Sequence, residues 1–305
     1  MKYKLNEKIE AFSLLKKYAD NLKNTSYEQI VQLLKFGIKE LPFSITILHK
    51  GHFIDRARKN RSNSLYKHID ELGYIKDNKV IQDMNDYGRA NLPHQVMFYG
   101  ALETFDIEHQ RLTAIAEISD FFRNTQQNEI EEYFTISRWR IEEELLGFEV
   151  IFSDDALRNS KHIRESYQKQ KSYLKEHKLE KQEEDFYLDF LRFISNQYSK
   201  RVEDSDEYKI SVAYTNIALS NPLINFIVYP SVQTQYMGQN IVLKPEIVDR
   251  YLKPIICSTH VVYKEHDRIV IDNDKYRVKG IDFSKKLKWE KDDIIPQRKE
   301  INYII

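Results

Sequence analysis

The segment at residues 224–229 constrains the fold more than any other stretch, because it is apolar at almost every position. A strand with one face in water alternates apolar and polar residues, whereas a near-continuous apolar run is typical of a strand buried on both faces. We therefore expect a central strand here, with other elements packed on both of its sides. Tyr229, Pro230 and Ser231 would lie at the C-terminal end of that strand.

Other helices and strands are predicted from the spacing of apolar residues along the chain. Helical spacing predicts helices at residues 7–23, 30–38, 112–119, 186–198 and 210–217. Short runs rich in apolar, β-branched and aromatic residues predict strands at residues 45–48, 53–58, 96–99, 133–138, 148–152 and 241–243. This mixture of separate helices and strands indicates the α+β class.

Three further features complete the predicted architecture. The small residues Gly100 and Ala101 are interpreted as a break between the strand at 96–99 and the helix that follows. Residues 154–184 carry dense charge of both signs, which predicts an exposed helical excursion outside the sheet. From residue 255 onward, renewed alternation predicts a small β-meander.

Composition excludes several classes of protein. With 305 residues, 41% of them hydrophobic, the chain is globular, and it forms one large domain or one domain with additions. The 47 basic residues equal the 47 acidic ones, so no direct nucleic-acid partner is expected. No stretch reaches the length of a membrane span and no signal peptide is recognisable, so we expect a soluble, cytoplasmic protein without a membrane partner.

Cysteine and histidine usage argues against a metal or disulfide framework. Cys257 is the single cysteine and sits beside isoleucines, which favours a small core residue in a reducing compartment. The nine histidines show no metal-ligand spacing, so no metal is expected. The glycine-rich phosphate motifs of Rossmann and P-loop proteins are also missing from the sequence.

Two groups of residues carry candidate chemistry. Glu117 lies at the edge of a semi-apolar helical stripe, where a carboxylate is a solvated, a paired structural or a working group. Alternation puts Ile54, Arg56 and Arg58 on one face of the strand at 53–58. Two arginines beside an apolar residue fit an anionic ligand, and they equally fit ion pairing with Asp or Glu.

The order of motifs along residues 45–251 resembles the RES-domain family, which is named for its Arg, Glu and Ser. In chain order, the motifs are Arg56 on a strand, Gly88-Arg89-Ala90-Asn91 before a strand that ends in Tyr99, Glu117 on a helix, Tyr229-Pro230-Ser231, and Asn240 to Leu243 on a strand. The family is similar in fold to ADP-ribosyltransferases, and its characterised members include bacterial toxins that consume NAD.

The resemblance implies how the basic residues would act on NAD. Arg56, with Arg58 beside it, and Arg89 would hold the pyrophosphate through the bidentate fork of the guanidinium group. Arg56 would also count among the catalytic residues. The ordinary structural alternative for Arg89 is an ion pair within a loop.

The resemblance also implies roles for the remaining site residues. Tyr99 would stack on the nicotinamide ring, and Glu117 would grip a ribose hydroxyl and stabilise the oxocarbenium-like charge. Ser231 would orient the substrate as a third catalytic residue. Structural alternatives are a packing role for Tyr99 and a capping role after proline for Ser231.

Three positions depart from the family pattern. Asp55 stands where relatives tend to have an aromatic or apolar residue, Ala90 where an aromatic residue is frequent, and His94 where a small residue is common. These positions fall near substrate-contacting loops, so they affect the expected substrate details more than the expected fold.

The resemblance predicts a mixed, split β-sheet of the ADP-ribosyltransferase kind with surrounding helices. We expect a helical N-terminal extension at residues 1–43 and a RES-like catalytic domain at 44–254, which contains the charged helical insertion at about 154–184. A β-rich C-terminal extension at residues 255–305 would pack on the core. The N-terminal helices would brace the core or bind a partner.

The expected function is cleavage of the nicotinamide–ribose bond of NAD by hydrolysis or phosphorolysis, as in a toxin. NAD is a substrate in this expectation, and no resident cofactor is predicted. Alternatives are ADP-ribosylation of a protein and a non-catalytic binding module with the same fold. Candidate partners besides NAD are an antitoxin or regulatory protein and a second copy of the chain.

Overall fold

A computed structural model describes residues 4–38, 45–61, 64–123, 131–150, 152–265, 268–281 and 285–291. Within these residues the α-helices are α1 Leu5–Ala19, α2 Tyr27–Ile38, α3 Asn78–Gln82, α4 Gln110–Ala116, α5 Asp120–Arg123, α6 Asp154–Asn159, α7 Lys161–Glu176, α8 Lys181–Ser199, α9 Lys209–Ala218 and α10 Pro245–Tyr251. Short 3-10 helices lie at Leu22–Asn24, Ile69–Leu72 and Ser205–Tyr208. The strands are β1 Ile45–Leu48, β2 Phe53–Lys59, β3 Phe98–Leu102, β4 Glu131–Ile141, β5 Leu145–Glu149, β6 Phe226–Pro230, β7 Gln239–Leu243, β8 Leu252–Glu265, β9 Arg268–Lys279 and β10 Glu290–Lys291.

The strands of the described residues form one open sheet in the order β1-β5-β6-β7-β3-β2-β4-β8-β9-β10. Its neighbouring strands are antiparallel apart from β5 and β6, which are parallel. The protein therefore belongs to the α+β class, as the sequence predicts, and its sheet is mixed and mostly antiparallel.

A seam between β2 and β3 divides this sheet. Over the described residues, β2 pairs with β4 through seven residue pairs and β3 pairs with β7 through five, whereas β2 and β3 share a single pair, Asp55 with Ala101. Where ladder pairing stops, two strands are free to diverge and leave space between them. The seam is the place in the sheet where side chains from both halves surround a cavity.

Strand β6 is central and buried on both faces, which confirms the interpretation of the apolar run. Phe226 and Val228 belong to one hydrophobic cluster, and Ile227 and Tyr229 belong to another on the opposite face. All five residues of the strand are buried. Each face of β6 therefore anchors a separate layer of the core.

The helices at the N-terminus form part of one of these layers. Phe12 of α1 makes edge contacts with Phe186, Phe190 and Phe193 of α8, at centroid distances of 5.8, 5.5 and 5.4 Å. Leu34 of α2 is fully buried in the same cluster. This packing is that of bracing elements. Residues 39–43 of the predicted extension lie outside the described residues.

The charged segment 154–184 is helical and contributes no strand, as predicted. It comprises α6, α7 and the start of α8. One side of α7 is nevertheless buried, through Ile163, Ser166, Gln170 and Leu174. The charged residues cover the outer face, while this narrow stripe attaches the helix to the core.

The predicted break at Gly100 and Ala101 is wrong, because both residues lie inside β3. A Cβ at Gly100 would come within 2.4 Å of the Cγ2 atom of Ile54 on β2, so glycine here permits close strand approach. The strand predicted at 148–152 is also displaced, since β5 spans Leu145–Glu149. The apolar run around it offers no alternation that would fix its ends.

The C-terminal strands continue the main sheet. Strand β8 pairs along the length of β4, and β9 pairs with β8. The expected boundary before residue 255 falls inside β8, and residues 292–305 of the predicted extension lie outside the described residues. Within the described part of the chain, no helix combines the length and apolarity required to cross a bilayer.

Candidate functional site

A cavity of about 470 Å³ opens at the seam between β2 and β3. Its lining consists of Arg56, Ala57, Arg58, Lys59, Gly88, Arg89, Tyr99, Gly100, Ala114, Glu117, Ile118, Arg123, Tyr208, Tyr229 and Asn240. Among these described residues one, Glu117, is a carboxylate, and five are cationic, of which Lys59 pairs with Asp120 and Glu132 outside the lining at 2.8 Å each. The cavity therefore carries an excess of positive charge around a single negative group.

Arg56 of β2 is buried and incompletely satisfied. Its Nη1 donates to the carbonyl oxygen of Tyr99 across the seam, and its guanidinium carbon lies 5.0 Å from the centre of the Phe98 ring. Its Nε is buried and has no hydrogen-bond partner within the described structure. Burial, reinforced by the neighbouring Arg58 charge, lowers the pKa of Arg56 to about 9, so the group remains cationic at neutral pH.

Arg58 repeats this pattern two residues further along the same face. Its Nη2 donates to the carbonyl oxygen of Gly73 at 2.7 Å, and its buried Nε is unpartnered among the described residues. Burial lowers the pKa of Arg58 as well. In the described chain neither Arg56 nor Arg58 forms an ion pair, which favours the anionic-ligand interpretation over the ion-pair alternative.

The structure explains why Asp55 stands where RES-domain proteins tend to have an aromatic or apolar residue. It lies on the opposite face of β2, is fully buried, and faces Arg138 in the register of β4. Both Asp55 carboxylate oxygens accept from Arg138, each at 2.7 Å. The acidic residue at this position is therefore matched by an arginine on the neighbouring strand.

Arg89 is positioned by the end of α8 and the segment that follows. It donates to the carbonyl oxygens of Tyr198 and Lys200. Its guanidinium carbon lies 5.1 Å from the centre of the Tyr208 ring, which forms another wall of the cavity. The loop ion pair considered as an alternative for Arg89 is not formed among the described residues.

Tyr99 is fixed by the loop that precedes its strand. Its hydroxyl donates to Oδ1 of Asn91 at 2.7 Å and accepts from the backbone N–H of Ala90 at 3.2 Å. A Cβ at Gly88 would lie 2.2 Å from that Asn91 oxygen. The Gly88–Asn91 motif therefore locks the tyrosine, and burial raises its pKa.

The structure explains the departure at Ala90 but gives no reason for a histidine at position 94, where a glycine or small residue is common in the family. Ala90 is fully buried, so the aromatic side chain frequent in relatives would need additional space. His94 has a φ of 59°, in the left-handed region where glycine is favoured. Its backbone N–H donates to Met84 at 2.8 Å, which secures the loop in this conformation.

Glu117 caps the C-terminal end of α4 and presents its carboxylate at the cavity. Its backbone N–H donates to Thr113 at 3.1 Å, and its carbonyl oxygen accepts from Arg123. Oε1 accepts from Nδ2 of Asn240 at 2.8 Å. The carboxylate is half-buried and anchored by a neutral donor.

Ser231 lies outside the residues that line the cavity. It is fully buried, and its Oγ accepts from the backbone N–H of Thr234 at 3.3 Å. Its backbone N–H donates to Gly238 at 2.8 Å, which closes the loop between β6 and β7. A Cβ at Gly238 would lie 2.1 Å from Oγ1 of Thr113 on α4, so this loop packs tightly against the helix that carries Glu117.

The structure thus brings together Arg56, Arg58, Arg89, Tyr99 and Glu117, and it does not bring Ser231 to the same cavity wall. Sequence reasoning missed Tyr208 and Arg123 as lining residues. Tyr208 ends a 3-10 helix without a recognisable motif, and Arg123 is one of many surface arginines. Asn240 and Tyr229 belonged to the resemblance but had no assigned role.

The remaining ionisable clusters show no metal-site arrangement within the described ranges. Cys257 is buried and unpaired, and burial raises the pKa of its thiol to about 12. Its complete burial makes it a core residue, as predicted. A thiol with so high a pKa is also a weak nucleophile at neutral pH.

The fold and cavity define an α+β protein with a cationic cleft that holds one anchored carboxylate. A scan against protein-family models finds no match for this chain, and a search of curated proteins finds none either. The resemblance to the RES-domain family therefore rests on the residues and their order.

Proposed function

We propose that this protein degrades NAD by cleaving the bond between nicotinamide and ribose, on a fold of the ADP-ribosyltransferase kind. The observation that supports this most strongly is the charge pattern of the seam cavity. Cations surround a single carboxylate, and buried Arg56 and half-buried Arg58 of β2 each keep a buried Nε donor that has no partner within the described residues. A dinucleotide needs this combination, because its pyrophosphate is anionic while its reacting carbon becomes cationic.

In this proposal Arg56 and Arg58 bind the pyrophosphate. Binding a phosphate requires the arginine to lose its water. This dehydration costs less free energy for a buried guanidinium with unpartnered N–H donors than for a solvated one, because folding has already removed the water. The cavity volume of about 470 Å³ falls within the roughly 300–1,000 Å³ of small-molecule sites.

Glu117 acts at the ribose. When the glycosidic bond breaks, its electron pair leaves with nicotinamide as a neutral base, and positive charge develops at the ribose carbon. A fixed carboxylate stabilises that charge more in the transition state than in the ground state, which accelerates the reaction. The acceptor oxygen then bonds to the ribose carbon and gives up a proton to solvent.

Mass spectrometry of NAD incubated with the purified chain tests the proposal. Nicotinamide should be released, with ADP-ribose as co-product in phosphate-free buffer or a phosphorylated ADP-ribose if phosphate is the acceptor. A mass increase on a protein would instead identify the transferase alternative. The Glu117→Gln variant should lose turnover, while Glu246→Gln, on the exposed first turn of α10, should not.

Two results would contradict the proposal. One is NAD that remains intact with wild-type protein in every buffer and with protein acceptors present. The other is equal nicotinamide release by the wild type and by the Glu117→Gln variant.

A further inference from the structure

We propose that Asn240 is a positioning residue that orients the Glu117 carboxylate without neutralising it. This inference rests on the proposed function for its catalytic consequence. Its structural basis is the 2.8 Å hydrogen bond from Nδ2 of Asn240 to Oε1 of Glu117.

Asn240 stands on a rigid part of the sheet. It lies in β7 and is paired on one side with Tyr229 of β6 and on the other with Ala101 of β3. Only 5% of the residue is exposed. A side chain on a strand hydrogen-bonded on both sides has a fixed origin, so its amide can hold a partner in one position.

The Glu117 carboxylate, in turn, requires a fixed donor to hold it in one position. Its backbone is fixed at the end of α4, but its side chain extends from a helix end, and among the described residues Asn240 is the side chain that donates to its carboxylate. A glutamate has three rotatable side-chain bonds, so without this donor the carboxylate would sample several positions. The hydrogen bond selects one of them.

The donor that holds the Glu117 carboxylate is a neutral amide and not an arginine. Arg56, Arg58, Arg89 and Arg123 line the same cavity, yet none of them forms an ion pair with Glu117 within the described structure. An arginine partner would offset the negative charge that a developing ribose cation requires. An amide fixes the carboxylate by hydrogen bonding and leaves its net charge intact.

An ordinary structural role for Asn240 is less consistent with its position. A polar amide in a central strand is costly unless it is hydrogen-bonded, and a β-branched apolar residue would suit that strand better. The Glu117 contact is the bond that compensates this burial. The hydrogen bond therefore serves both residues: Glu117 satisfies the buried amide of Asn240, and Asn240 fixes the carboxylate of Glu117.

The Asn240→Asp variant tests the proposal because it keeps the shape and reverses the hydrogen-bonding character. Above neutral pH two carboxylates would repel each other, and kcat should fall by roughly 10-fold or more, with a smaller change in KM. At lower pH the pair can share one proton, which restores both the donor and the original net charge, so kcat should recover relative to wild type. The titratable and charged groups that face this pair are Tyr99, Tyr229, Tyr208, Arg56, Arg58, Lys59, Arg89 and Arg123.

Two further variants make the result specific. Asn240→Ala removes the donor without adding charge, so its kcat should fall without low-pH recovery. Asn216→Asp makes the same chemical change at a half-buried asparagine of α9 outside the cavity and should leave the pH profile unchanged. A uniform loss of kcat in Asn240→Asp at every pH, or no loss at all, would overturn the proposal.

A measurement without turnover separates this inference from the proposed function. In protein labelled with ¹³C at glutamate carboxyl groups, the Glu117 resonance is assigned by its loss in Glu117→Gln. Its titration should move to higher pH in Asn240→Asp than in wild type, whether or not NAD is cleaved. An unchanged Glu117 titration would refute the Asn240 contact even in an active enzyme, and intact NAD with a shifted titration would refute only the proposed function.

Discussion

The two faces of β2 differ in whether their charged side chains are paired with opposite charges. On one face, fully buried Asp55 is met by Arg138 of β4 through two hydrogen bonds of 2.7 Å. On the other, Arg56 and Arg58 donate to carbonyl oxygens and retain unpartnered buried Nε atoms, and neither forms an ion pair among the described residues. Lys59, two residues beyond Ala57 on the Asp55 face, is matched as well, by Asp120 and Glu132 at 2.8 Å each. One face of the strand thus carries charges that are paired within the protein, and the other carries two that are unpaired among the described residues.

This difference separates a structural charge from a charge available to a ligand. A buried ion needs a partner to offset its dehydration, and Asp55 finds that partner in the adjacent strand. Arg56 lies beside the seam instead, where pairing between β2 and β3 is limited to one residue pair. We infer that the fold tolerates the unmatched arginines because an anionic ligand completes them.

Breaking the matched face should have the largest effect on stability. Arg138→Leu leaves the buried Asp55 carboxylate without its hydrogen-bonded ion-pair partner, and the free energy of unfolding should fall by about 3–5 kcal/mol. Arg56→Leu removes a charge that has no counter-charge among the described residues, so the free energy of unfolding should fall by no more than about 1 kcal/mol. Urea denaturation of both variants checks the comparison, and equal losses would show that the two faces do not differ.

His260 of β8 is a third kind of buried ionisable group, because it stays neutral in the folded protein. Burial, aided by the Arg111 charge, lowers the pKa of His260 to about 3. The unfolded chain binds a proton near pH 6.5 while the folded chain does not, so this residue makes stability fall as the pH drops from about 6.5 towards 3. At pH 4 the effect should be about 3 kcal/mol.

The variant His260→Gln removes that contribution. Its free energy of unfolding, measured by urea denaturation between pH 4 and 7, should decline less steeply with falling pH than that of wild type. Parallel curves for the two proteins would mean that His260 accepts a proton in the folded state.

A smaller loss of stability is expected when a side chain is added at Gly100, where β2 and β3 come close together. In Gly100→Ala the new Cβ would meet Ile54 Cγ2 at 2.4 Å and the Asp55 carbonyl oxygen at 3.1 Å, so stability should fall by about 1–3 kcal/mol. Gly73→Ala is a matched control, because its nearest contact would be an ordinary 3.6 Å. A Gly100→Ala protein as stable as the Gly73→Ala control in thermal unfolding would show that β2 and β3 are not closely apposed there.

The sequence anticipated elements whose pattern is local. The run at 224–229 predicted a central strand because residues 226–229 all face a packed layer, and the helix around Leu112 and Ile115 followed from its buried stripe. Gly100 was misread because its reason is a contact with Ile54, distant in sequence. The order of β2, β3 and β4, and hence the seam, depends on pairing that no local pattern encodes.

The candidate site likewise contains residues that sequence motifs predict and residues that only the structure reveals. The motif order identified Arg56, Arg89, Tyr99 and Glu117 as members of one site, whereas Tyr208 enters the cavity from a 3-10 helix that no motif marks. Alternation put Arg56 and Arg58 on one face, but their lack of ion pairs could be seen only once neighbouring strands were in place. Likewise, the pairing of Asp55 with Arg138 follows from the register of β2 and β4.

If Arg56 and Arg58 of β2 bind the pyrophosphate, the affinity for NAD of a protein that does not cleave it should depend on Arg56. Calorimetric titration of Glu117→Gln protein with NAD gives the reference Kd, since that variant should bind without turnover. Adding Arg56→Lys replaces a planar fork by a point charge, and Kd should rise roughly 10-fold. Adding Arg140→Lys instead, at a half-exposed β4 arginine that pairs with Glu142, should leave Kd unchanged. An NAD affinity unaffected by Arg56→Lys, or affected equally by both changes, would contradict the account.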